Sequence, residues 1–109
     1  MKQTIIKITR ATEEGLRECE GIFFEVHKRQ FCLVEGDEWY LAIELSTGCS
    51  AAKFDPDFMS KSKALSKAKK EIANRSEMDW DLALNKVSKV YCEMYDFYNL
   101  PINEPITKP

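Results

Sequence analysis

An α+β domain is predicted from three features of this sequence. Two β-rich runs joined by an acidic, glycine-containing turn occupy 31–45. Further alternating stretches precede them, and two amphipathic helical stretches follow. The expected architecture is an antiparallel three- to four-stranded meander with two C-terminal helices packed on one face. Residues 1–99 are expected to form the single domain and 100–109 a proline-containing tail, extended or disordered. A chain of 109 residues suits one core and is short for two domains.

The elements follow in order. Residues 4–9 are β-branched and roughly alternating, which predicts a strand. Thr12, with Glu13 and Glu14 behind it, predicts a short helix over 12–19, weakened by Gly15 and broken at Gly21. From 22 to 27, Ile22, Phe24 and Val26 alternate with Phe23, Glu25 and His27, which predicts a strand that turns or bends at Lys28–Arg29.

Burial selects a register for the 31–45 hairpin. A two-residue Gly36–Asp37 turn would set Glu35 opposite Glu38, a repulsive pair. A three-residue loop over 35–37 instead pairs Leu33 with Trp39 and Phe31 with Leu41. That gathers Phe31, Leu33, Trp39, Leu41, Ile43 and Leu45 on a core face. The other face then carries Gln30, Cys32, Val34, Tyr40, Ala42, Glu44 and Ser46.

A turn at 46–49 uses Gly48, a short strand is expected at 50–54, and Asp55–Pro56–Asp57 ends the sheet. The first helix is expected over 60–75, with a stripe of Leu65, Ala68 and Ile72 beside Ala64. An earlier start, capped by Asp55, would add Phe58 to the stripe. Ser76 to Asp79 fits a helix-start signature. A second helix to Tyr98 follows, with Trp80, Leu84, Val87, Tyr91, Met94 and Tyr98 on one side and Pro101 as its limit.

The formal net charge of −2 gives no global attraction to nucleic acid or anionic membrane. No apolar run approaches the ~18 residues of a membrane span. The alternating start is unlike an export signal, so a cytoplasmic location is expected. Cys19, Cys32, Cys49 and Cys92 are spaced by 13, 17 and 43 residues, and His27 is the only histidine. Zinc sites bring ligands in close pairs, so neither metal nor cofactor is expected, and the cysteines read as free thiols.

The leading expectation is a small non-enzymatic binding protein whose partner is another protein, a second copy included. Two surfaces are candidates. One is the aromatic side of the last helix, with Tyr91, Tyr95, Phe97 and Tyr98. The other is the open sheet face around Tyr40 and Glu44.

The alternative is nucleic-acid binding. Residues 56–76 hold 6 basic and 2 acidic residues, and Lys63, Lys67 and Lys70 lie opposite the apolar stripe. In its order of helix, three strands and lysine-bearing helix, the chain resembles the architecture of double-stranded-RNA-binding domains, which implies RNA as that partner. A third expectation is an enzyme using His27 with Cys32. The acidic turns at 35–38 and 55–57 lack the alternating spacing of a calcium loop and are assigned to turn chemistry.

Overall fold

Strand β1 (Ile5–Thr12) pairs antiparallel with β2 (Gly15–Val26), from Ile5 opposite Ile22 to Thr12 opposite Gly15. The computed structural model describes residues 3–12, 15–76, 79, 80, 82, 86 and 103–106. The helix expected over 12–19 is therefore replaced by strand. Leu16, Arg17, Glu18 and Glu20 are exposed, so no apolar alternation announces this half of β2. Its order comes from pairing with β1. The resemblance to double-stranded-RNA-binding domains falls with that helix.

β2 turns into β3 (Arg29–Glu35) with Val26 opposite Arg29, so the reversal is His27–Lys28 and Arg29 belongs to the strand. Both turn residues have positive φ, 50° and 66°. That is the primed-turn geometry whose twist suits a two-residue hairpin, adopted here without the usual Asn or Gly. β3 pairs with β4 (Tyr40–Glu44), and β4 with β5 (Ser50–Phe54). The sheet is thus a five-stranded antiparallel meander in the order β1-β2-β3-β4-β5, one strand more than the upper expectation.

The expected hairpin register is corrected. Glu35 stands opposite Tyr40, Leu33 opposite Ala42 and Phe31 opposite Glu44, with Gly36 N–H bonded to Trp39 O at 2.8 Å. Phe31 and Leu33 therefore share a core with Tyr40 and Ala42. Cys32 and Val34 share one with Ile43 and Leu45. Burial does not discriminate between registers here, because 31–34 are all buried and both sheet faces are apolar. Trp39 falls outside the core, 36% exposed, with Lys53 Nζ 4.8 Å from its ring centroid.

Helix α1 (Lys61–Ala73) packs on the first of these faces through Ala64, Leu65, Ala68 and Ile72. Ser60 caps it, its Oγ accepting from Lys63 N–H at 3.2 Å. Asp55 makes a separate turn, accepting from Asp57 N–H, and Phe58 stands 80% exposed instead of joining the stripe. After α1, Ser76 Oγ accepts from Asp79 N–H, and Asp79, Trp80, Leu82 and Lys86 are helical. Trp80 is buried edge-on against Phe31, which stacks on Phe24. The rest of the second expected helix, to Tyr98, lies outside the described residues.

The opposite face is closed differently. Asn103 Nδ2 donates to both Thr9 O and Leu45 O, each at 2.8 Å. In a flat sheet β1 and β4 would stand about 14 Å apart. One nitrogen bonding carbonyls from β1 and from the end of β4 requires the sheet to roll. The rolled face encloses Ile8, Cys32, Val34, Ile43 and Leu45, with Ile6, Cys19, Leu41 and Ile106 at its margin.

Candidate interaction surface

The residues expected to carry function are dispersed by this fold. Tyr40 and Glu44 lie on the face that α1 covers and are 9% and 6% exposed, so they present no open sheet surface. The Glu44 carboxylate is absorbed by the β4–β5 turn. It accepts from the N–H and Oγ of Ser46 at 3.1 and 2.5 Å, and from the N–H and Oγ1 of Thr47 at 2.9 and 2.8 Å. Tyr91, Tyr95, Phe97 and Tyr98 lie outside the described residues. Lys63, Lys67 and Lys70 are exposed on the outer side of α1.

His27 and Cys32 do not meet. The His27 ring lies at the end of α1, its Nε2 3.1 Å from Ala73 O. Cys32 is buried on the opposite face. Burial, reinforced by Cys19, pushes its thiol up to about 12, so it stays protonated at neutral pH and is a poor nucleophile. Burial also raises the thiols of Cys19 and Cys49. Among the described residues, no three His, Cys, Asp or Glu side chains are grouped to hold a metal. No helix there is long and apolar enough to cross a membrane.

A surface with unused bonding capacity lies at β1. Thr4 O accepts from Phe23 N–H, whereas Thr9 turns both its N–H and its C=O to Asn103. By the alternation of an antiparallel ladder, Ile5, Lys7 and Thr9 aim their backbone groups away from β2. Among the described residues only Asn103 bonds to this edge, at Thr9. Ile5 and Leu16, on the same sheet face as α1 but beyond its reach, are 53% and 43% exposed.

Asn103 is itself held by its neighbours. Its Oδ1 accepts from Thr9 N–H at 2.7 Å while its Nδ2 donates to Thr9 O, so its carboxamide takes the place of a peptide group in an adjacent strand. Gln30 does the same for the tail. Its Nε2 donates to Ile106 O at 2.8 Å and its Oε1 accepts from Ile106 N–H at 2.7 Å. Between these clamps and the two turns lies a cleft of about 240 Å³, bordered by Lys28, Arg29, Ser46, Asn103 and Pro105.

Ile5, Gln30 and Asn103 carry this surface; Ile5 and Asn103 are not among the expected site residues, and Gln30, expected on one face with Tyr40 and Glu44, instead binds Ile106 on the opposite side. Asn103 sits in a segment without periodicity, and its partner Thr9 is 94 residues away, so no local pattern marks it. The alternation of 4–9 is the available pointer to β1, which lies at one edge of the described meander. Compared with protein-family models, curated proteins and solved structures, the chain matches none.

Proposed function

We propose that this chain is a small non-enzymatic binding protein whose partner is another polypeptide, engaged at the outer edge of β1. The observation that carries the proposal is the row of outward backbone groups at Ile5 and Lys7, beside an exposed isoleucine. An extended segment can satisfy such groups as an added strand, with affinity from the main chain and specificity from alternate side chains. The carboxamide on Thr9 supports this, because it is a peptide-like group already bonded to the same edge.

The test uses Lys7→Pro, which deletes an outward donor and leaves the β1–β2 ladder intact. A photoreactive side chain at position 5 of the full chain, irradiated in extract of the source cells, is expected to give a polypeptide adduct. That adduct should vanish with Lys7→Pro. Adducts that survive the proline, or equal yields from the same probe at Lys67, would defeat the proposal.

A second reading rests on the exposed lysines of α1. If Lys63, Lys67 and Lys70 contact phosphates, duplex RNA should bind with an affinity that falls steeply with salt. Replacing all three with glutamate should abolish it. Binding that ignores salt overturns this reading, and adducts at position 5 carrying nucleic acid would favour it.

A further inference from the structure

We infer that the cleft between the two hairpin turns and the tail is a binding site for a small organic monocarboxylate, held by the ammonium of Lys28. The site does not use the β1 edge, and it stands or falls separately from the edge-binding proposal.

The class of ligand follows from which bonding groups of the wall are already spent. Glu44 is 6% exposed, and its carboxylate accepts four hydrogen bonds, from the N–H and hydroxyl of Ser46 and of Thr47. An ionised carboxylate has about four acceptor sites, so Glu44 has none left for the ammonium or hydroxyl of a ligand. Asn103 gives both N–H donors to Thr9 O and Leu45 O. Gln30 spends one N–H on Ile106 O, and its second has no partner among the described residues. The Lys28 ammonium likewise makes no hydrogen bond or ion pair among them. The capacity that remains is donor capacity, which an acceptor-bearing anion satisfies.

Charge and size narrow the class. Lys28 and Arg29 set two positive charges at the wall against the single negative charge of Glu44. That balance suits one carboxylate, whereas a second would be repelled by Glu44. The volume of about 240 Å³ lies below the roughly 300–1,000 Å³ of pockets that hold drug-sized molecules. Leu45 and Pro105 supply the apolar part of the lining. The ligand is therefore a carboxylate with a few carbons laid against these two side chains.

The backbone gives an independent observation. Lys28 is presented by two consecutive left-handed residues, with φ of 50° and 66°. Asn-Gly would adopt this turn with less strain but would place no cation at the cleft. Strain of this kind persists at positions that hold ligands. The charge of Lys28 accounts for its presence here.

The test titrates the isotope-labelled full chain with benzoate and follows backbone amide shifts by NMR. Saturable shifts are expected at Gln30, Leu45 and Ser46. Benzyl alcohol, with the same ring and no charge, should give none, and succinate should bind several-fold more weakly. Lys28→Asn, which tolerates the left-handed backbone, should weaken benzoate by at least about tenfold, the worth of one charge-assisted hydrogen bond. Lys28→Arg should retain binding. Replacing His27–Lys28 by Asn-Gly should abolish it in a chain that unfolds at no lower temperature than the parent, so unfolding cannot explain the loss. Inorganic phosphate moving the same amides as tightly as benzoate would overturn the monocarboxylate class. Unchanged benzoate affinity in Lys28→Asn would overturn the role of Lys28. No saturable shift with benzoate or with butyrate would overturn the site.

Discussion

Gly21 of β2 stands opposite Val34 of β3. A Cβ built there would lie 2.1 Å from Leu33 O and 2.9 Å from Cys32 Sγ, and the first of these is backbone that cannot swing aside. Gly21→Ala is therefore expected to lower stability by more than about 2 kcal/mol, measured by urea unfolding. Cys32 gives a second expectation. Folded, it keeps its proton to about pH 12; unfolded, it loses it near 9.0. Between those values the unfolded chain binds fewer protons, so stability falls as pH rises through that window. Urea midpoints at about pH 8 and about pH 10.5 should show a smaller alkaline loss in Cys32→Ala than in the parent chain. An equal loss would assign the effect to other groups.

Among the elements, the most constrained is the His27–Lys28 reversal. Left-handed backbone costs about 1–2 kcal/mol for an ordinary residue, and here two in a row adopt it. Replacing the pair by Asn-Gly should raise stability by about 1 kcal/mol, read as a higher thermal midpoint. No gain would mean that the His27 bond to Ala73 O and the cleft-lining Lys28 compensate the strain. Elements with local signals were legible in the sequence. Ser60 and the Leu65–Ala68–Ile72 stripe mark α1, and Gly48 and Asp55 mark the limits of β5. The N-terminal half of β2 was not, because Leu16 to Glu20 is mostly exposed and carries helix-like composition. The β3–β4 register was not either, since two apolar faces remove the contrast on which register selection depends.

At the scale of the molecule, the tail completes the rolled sheet. Asn103 makes three hydrogen bonds and Gln30 two, all to backbone. Asn103→Ala and Gln30→Ala should each cost about 1–3 kcal/mol. Because both clamp the same segment, the second loss should be smaller once the first has freed it, a coupling that a double-mutant cycle measures. Additive losses would mean that the two clamps act independently. The candidate surface was the least legible part of the chain: an edge is a property of strand order, and a clamp joins residues that no window contains together.

That clamp has a consequence for synthesis. β1 and β2 leave the ribosome before Asn103 and can pair at once, whereas the residue that covers Thr9 follows 94 positions later. Through that interval the nascent ribbon carries its longest bare edge, the state most open to mispairing with a neighbouring chain. A chain arrested anywhere before Asn103 would keep that edge, so ribosome stalling, more than any single substitution, should drive this protein toward aggregates.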